Sequence, residues 1–414
     1  MKLLYLNLIA VALSQKILVP MNQEQNDHLK AYGIAYLGLT KNMNIEWLLN
    51  YKGGSFLFDS NKFLEKECRL RGVTYRLMES EGLVQIYSSI EQNNMDIVLL
   101  EKTPKIAIYT PPNKQPWDDA VTLALAYAEV KYETLWDEEV HNGDLDNFDW
   151  LHLHHEDFTG QYGKFYKSHR NAVWYKSQKE QFENMANILG YKSVHEQKKG
   201  VARIIKSYVG NGGFLFAMCS ATDSYDIALA MGNNDGVHSV FDGTSVNPRI
   251  QQSLDYNQTF AFKDFKIIPD PLIYEFSDID YPPSHNPITR GAKADYFSLF
   301  EFSAKYDPVP TMLTQNHVTI IKGFMGQTTG FRKDRIKSHV VILGEDESTG
   351  QVKYLHGNFG KGTFTFYGGH DPEDYQHFVG DPPTDLSLHR NSPGYRLILN
   401  NILFPAARKK ERKT

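Results

Sequence analysis

The chain has 414 residues, 41% hydrophobic and 13% aromatic, which excludes a disordered polymer and allows two domains or one large domain with insertions. A formal net charge of -5 excludes a dedicated nucleic-acid binder, and the short basic end from Arg408 to Lys413 reads as a solvated tail. The only two cysteines, Cys68 and Cys219, cannot build a disulfide scaffold or a zinc finger.

In chain order, Lys2 precedes an apolar run at 3–13 that ends in Ala12-Leu13-Ser14. A charged start, a short apolar stretch and small residues predict a secretory signal over residues 1–14, cut near Ser14-Gln15. The run is too short for an anchor, so the expectation is an exported, periplasmic or extracellular protein with no stable membrane insertion after signal removal. The alternative is a buried first strand or helix.

Residues 15–102 are predicted to form a smaller N-terminal α/β domain. Its expected strands lie at 17–20, 45–50, 55–58 and 74–78, and its helices at 27–39, 63–70 and 83–90. Cys68 falls in the second helix, away from Cys219, so no bridge between them is expected. Lys102-Thr103-Pro104 reads as a junction to a second unit over 103–414. There, strands at 105–110, 132–135 and 148–153, a helix at 118–129, and a polar helical region at 160–200 predict a mostly parallel, doubly wound sheet. Residues 235–305, rich in Asn, Asp, Pro and aromatics, read as an insertion that walls the site. Strands are expected to resume at 311–313, 340–343, 352–355 and 363–367, before a final helix at 395–403.

Two strand ends carry the chemistry. Gly213-Phe214-Leu215-Phe216-Ala217-Met218-Cys219-Ser220-Ala221 reads as a buried strand ending in a cysteine among small residues. Gly362-Thr363-Phe364-Thr365-Phe366-Tyr367-Gly368-Gly369-His370-Asp371-Pro372-Glu373 reads as a strand delivering a histidine with a carboxylate three residues on. Cys219 as nucleophile, His370 as proton shuttle and Glu373 or Asp371 as its orienting acid are the parts of a nucleophilic site. A helix starting near Ser224, capped by Asp223, would aim backbone N–H groups at the thiol. The competing reading makes Cys219 a small buried hydrophobe and His370 a structural histidine.

A third segment is His152-Leu153-His154-His155-Glu156-Asp157-Phe158-Thr159-Gly160. His152 and His154 share a strand face, and His155 and Glu156 fall where the strand should end. His154, His155, Glu156, Asp157 and Asp371 are the expected substrate contacts, with backbone N–H groups near Thr159-Gly160 as oxyanion donors. No cofactor is expected; a divalent metal on His154, His155 and Glu156 is the alternative, although the spacing matches no strong motif. Gln315-Asn316-His317 and residues 323–329 suit either a binding wall or ordinary loops. The expected partner is a small-molecule or carbohydrate-like substrate.

From about residue 104, the chain resembles the class I glutamine amidotransferase-like superfamily, including its trehalose-utilisation ThuA-like branch. Phe216-Ala217-Met218-Cys219-Ser220-Ala221 stands at the nucleophile elbow, and Gly369-His370-Asp371-Pro372-Glu373 where the family carries His-Pro-Glu. The resemblance implies a flavodoxin-like fold and amide or ester hydrolysis through Cys219, His370 and Glu373. One residue is inserted between His370 and Glu373, and the elbow lacks glycine on both sides of the cysteine. ThuA-like members need not use a cysteine, so a carbohydrate-related or metal-binding module remains the alternative. Over its full length, in Leu29–Tyr36, His154–Tyr162 and Gly368–Asp374, the chain is similar to exported bacterial proteins labelled asparagine synthetase B. It has no cysteine after Met1 and no Ser-Gly-Gly-x-Asp-Ser loop, the parts that glutamine-hydrolysing asparagine synthesis requires.

Overall fold

A computed structural model describes residues 15–113, 115–280, 296–307, 310–323, 326–375 and 378–409. The expected signal segment, residues 281–295 of the insertion, residues 324–325 of the glycine-rich stretch and the basic tail beyond Lys409 lie outside the described residues.

Strands β1 (Lys16–Val19), β2 (Ile45–Leu49), β3 (Ser55–Asp59), β4 (Arg76–Met78) and β5 (Asp96–Leu100) form one sheet in the order β4-β1-β3-β2-β5. Every neighbouring pair in it is antiparallel. β1 and β3 read as near-continuous apolar runs because both faces are covered, whereas the edge strand β4 is largely exposed. Ile17, Val19, Trp47, Phe56 and Phe58 join the main core, while Leu18, Leu48 and Leu57 meet Leu83, Ile86 and Ile90 of the helix Ser80–Gln92. The helix His28–Thr40 is capped by Asp27, which accepts from Lys30 N–H at 2.9 Å.

The second sheet contains β6 (Ile106–Tyr109), β7 (Glu133–Leu135), β8 (Trp150–Leu153), β9 (Phe214–Met218), β10 (Tyr296–Leu299), β11 (Ile320–Lys322), β12 (Phe331–Arg332), β13 (Val341–Asp346), β14 (Gln351–Phe359) and β15 (Gly362–Tyr367). Its order is β11-β10-β13-β14-β15-β9-β8-β6-β7, with β12 beside β14. From β15 to β7 all neighbours are parallel; from β15 to β11 all are antiparallel. The expected mostly parallel sheet is therefore mixed. The physical reason lies in the connections: residues 347–350 and 360–361 are too short for a crossover and can only make hairpins. Gly360, at φ 58, turns β14 into β15.

The strand expected at 311–313 is instead the short helix Pro310–Leu313, consistent with a proline in its first turn. The final helix, Pro393–Leu403, is buried from Gly394 onward. It belongs to one apolar cluster that takes Trp47 and Phe56 from the first sheet and Trp150, Phe216 and Tyr367 from the second. Arg396 on this helix is fully buried. Its guanidinium donates to Met21 O at 2.8 Å, to Tyr32 OH at 3.1 Å and to Gly53 O. These bonds satisfy a buried charge that would otherwise be costly.

Candidate active site

The parallel half of the sheet collects the candidate residues at its strand ends. Asp118 and Asp119 follow β6, His154 and His155 follow β8, Cys219 follows β9 and His370 follows β15. β7 and β8 flank β6 on opposite sides, so the chain reverses its direction of travel between β6 and β8. A crevice at such a reversal, beyond the carboxyl ends of parallel strands, is where open α/β sheets bind ligands.

Cys219 sits on a sharp strand-to-helix turn. Its backbone is at φ 51 and ψ -138, and the helix Ser220–Met231 begins at the next residue. A positive φ in a non-glycine residue stores strain, and at the end of a parallel strand it turns the side chain out of the sheet. The turn is held by Cys219 N–H donating to Tyr367 O at 3.3 Å and Ala221 N–H donating to His154 O at 3.0 Å. Because the helix starts at Ser220, Asp223 is not its cap. Asp223 lies in the first turn, accepts from Thr328 Oγ1 at 3.0 Å, and is pushed up to about 7 by burial.

The thiol is covered. Gln327 N–H donates to Sγ at 3.1 Å, and the residue is only 2% exposed. Burial pushes the thiol up to about 11, against the pull of backbone N–H groups of Thr328, Gln327 and Ser220. Gly326 packs so closely that a Cβ there would lie 3.1 Å from Sγ and 2.8 Å from His370 N. The covering segment is pinned by Gly369 N–H to Thr328 O at 2.8 Å and by Gln327 Nε2 to Gly163 O at 2.8 Å. Cys68 is the second free thiol, fully buried and pushed up to about 12 by burial.

The histidines form a second centre. β8 ends at Leu153, so His154 and His155 leave the alternation of the strand and stack, with ring centroids 3.9 Å apart. His370 lies against both, at 4.5 and 4.3 Å between centroids, and its Nε2 is 2.7 Å from His155 Nε2. His155 Nε2 is also 2.9 Å from Asp118 O. One Asp119 oxygen lies 3.1 Å from His152 Nε2 and 3.1 Å from His154 Nδ1, while the other caps the helix Ala120–Ala128 through Thr122 N–H. Burial opposes the charge on Asp119, yet the two imidazoles hold its carboxyl well below the usual range. Burial lowers His154, partly against the pull of Asp119.

A cavity of about 410 Å³ opens beside this cluster. Trp117, Phe165 and Tyr162 give it aromatic walls, and His154, His155 and Glu156 supply polar groups. Burial raises Glu156 to about 8, with Lys198 opposing.

Not all expected site residues converge. Glu373 is engaged with His389 Nδ1 at 3.2 Å, and the neighbour of His370 Nε2 is His155. The inserted residue between His370 and Glu373 gives Asp371 the structural role. Asp371 is fully buried and accepts from Tyr395 OH and Thr384 Oγ1, each at 2.7 Å, and from Glu373 N–H at 2.8 Å. Asp157 lines the cavity, but its carboxylate is spent on the local turn, accepting from Thr159 N–H at 2.7 Å and Gly163 N–H at 3.0 Å. Thr159 N–H is thereby not an oxyanion donor. Gln315 and His317 serve packing: Gln315 bonds Asn50, and His317 stacks on His28 at 4.0 Å.

Sequence reasoning did not single out Trp117, or Asp119 as more than helix. The signal was available in Asp118-Asp119, placed after the first parallel strand of the second sheet.

No family model and no curated protein matches the chain. Among solved structures, it is similar to cytoplasmic protein STM3548 from Salmonella typhimurium, at 10% identity and a TM-score of 0.34, covering 74% of this chain and 100% of that one. Cytoplasmic protein STM1381 from Salmonella typhimurium LT2 matches at 11% identity and a TM-score of 0.33, over 73% of this chain and 100% of that one. A beta-galactosidase from Bacillus circulans sp. alkalophilus matches at 10% identity and a TM-score of 0.27, over 70% of this chain and 32% of its own.

Proposed function

We propose that the chain is an amidotransferase-like hydrolase of amide or ester bonds, with Cys219 as its nucleophile. The observation that carries this reading is the strained elbow at Cys219, φ 51 and ψ -138, between a parallel strand and a helix. A flavodoxin-like catalytic unit is part of the proposal. The parallel strands lie in the order β7-β6-β8-β9-β15, which is 2-1-3-4-5 in chain order.

In this mechanism the Cys219 thiol gives its proton to His370 as sulfur attacks the carbonyl carbon. The C–N or C–O bond then breaks, and His370 returns the proton to the leaving group. Water hydrolyses the resulting thioester. At rest the side chain beside His370 Nε2 is His155 rather than Glu373. The step requires Gly326 and Gln327 to lift from Sγ and the His370 ring to turn from His155 toward sulfur. Neither Cys219 nor His370 lines the cavity as it stands, so a small polar or carbohydrate-like substrate held there, with Trp117 and Glu156 among its walls, would meet the thiol only after that movement. Export to the periplasm or beyond is also proposed, on the Lys2 and 3–13 pattern. Among the described residues, no helix is long and apolar enough to cross a membrane.

The test is a screen of the purified full-length chain against small amides, glutamine among them, and aryl esters. Any turnover found should disappear in Cys219→Ala and His370→Ala. Full turnover in Cys219→Ala would remove the nucleophile from the proposal.

A further inference from the structure

We infer that His154, His155 and His370 form a binding site for a divalent transition metal, zinc foremost. One ring nitrogen from each of the three lies within 4.8 Å of the others. A tetrahedral zinc centre with Zn–N near 2.0–2.1 Å spaces its nitrogens roughly 3.3 Å apart, so small ring rotations close the site. His155 Nε2 lies 2.7 Å from His370 Nε2 and 2.9 Å from Asp118 O, so without a metal it carries the one proton that these two acceptors share. A metal ion would displace that proton, and His155 would give up its bond to Asp118 O.

Two further observations point to a ligand. His154 is 1% exposed, and its Nε2 has no hydrogen-bond partner. Its other nitrogen faces the Asp119 carboxylate, the arrangement that fixes the tautomer and raises the basicity of a metal-ligating imidazole. A second group of possible donors, Asp119, His152 and His154, is less suited. Both nitrogens of His152 already face acceptors, Phe216 O and Asp119, each at 3.1 Å. His154 and His155 line the cavity, so a fourth coordination position would be reached from it.

The site does not depend on Cys219 chemistry and competes with it, because His370 cannot hold a metal and accept the thiol proton together. The experiment is equilibrium dialysis of the chelator-stripped full-length chain against zinc, with metal counted by mass spectrometry. About one zinc per chain is expected in the wild type. His155→Ala, at a half-buried position that should fold, and His370→Ala should lower affinity at least tenfold, and Asp119→Asn, which keeps the helix cap, roughly 10–100-fold. Cys219→Ala and the distant His141→Ala should bind as the wild type does. Cobalt substitution should give ligand-field bands without a thiolate charge-transfer band. No stoichiometric zinc in the wild type, undiminished zinc in both His155→Ala and His370→Ala, or loss in Cys219→Ala would overturn the site. Loss of hydrolysis in Cys219→Ala with zinc binding intact would leave both proposals standing; each can fail without the other.

Discussion

Replacing Cys219 by alanine and by glycine separates its side chain from its backbone. At an unstrained buried strand position, changing alanine to glycine removes a methyl worth about 0.8 kcal/mol and adds about 0.5–1 kcal/mol of backbone entropy cost. Ala217, fully buried in β9, is such a position, so Ala217→Gly should cost about 1.3–1.8 kcal/mol. At position 219, φ 51 and ψ -138 impose a strain of about 1–3 kcal/mol on any residue with a Cβ, which glycine escapes. The step from Cys219→Ala to Cys219→Gly should therefore be about 1–3 kcal/mol less costly than Ala217→Gly, and could be stabilising. Urea unfolding followed by tryptophan fluorescence, on all three variants and the wild type, reads these differences. An equal glycine penalty at both positions would refute the strained elbow and take the main support from the nucleophile proposal.

With burial holding the Cys219 thiol at about 11, alkylation of the folded chain by iodoacetamide should rise about tenfold per pH unit between about pH 7 and 10. A plateau below about pH 9 would show a thiolate stabilised beyond what the covering N–H groups explain. Burial raises Glu156 from 4.5 to about 8, so the folded chain holds a proton that the unfolded chain releases as pH passes 4.5. That contribution is full below pH 4.5 and is lost as pH rises through about 8; Glu156→Gln should make the decline of the urea midpoint shallower, and an unchanged decline would count against it. Asp226 is fully buried and accepts from Phe260, Ala261 and Phe262 N–H at 2.6, 2.8 and 2.9 Å. Asp226→Ala should cost about 3 kcal/mol or more by leaving these donors unsatisfied, and a loss below about 1 kcal/mol would mean that water replaces the carboxylate.

Local patterns made much of the fold legible. The apolar runs of β1, β3, β6 and β9 and the capped helix after Asp27 follow from residues close in sequence. The antiparallel half of the second sheet was less legible, because pairing direction depends on which distant strand docks where. The two short connections at 347–350 and 360–361 hold that information, because they admit only hairpins. β5, β11 and β12 were not distinguished as strands at all, and β10 was not placed within the insertion. In the site, Cys219 and His370 were legible as strand-end residues, and the histidine pair after β8 as a cluster. The pairing of Glu373 with His389 was not, since a sequence offset of three sets no direction in an irregular loop. Nor was Gln327, whose contact with Sγ arises from a segment more than a hundred residues away in the chain.

The burial of Arg396 and its helix against the first sheet bears on how the chain acquires its structure. The carbonyls of Met21 and Gly53 receive this guanidinium only after nearly the whole sequence has been synthesised. Until then the helix His28–Thr40 presents an apolar flank with no cover from the C-terminal helix. Closure across more than 340 residues makes the last step slow and the preceding species prone to aggregation. A product ending before Pro393 would keep that flank open, and quality-control proteases would meet it as an unfinished chain.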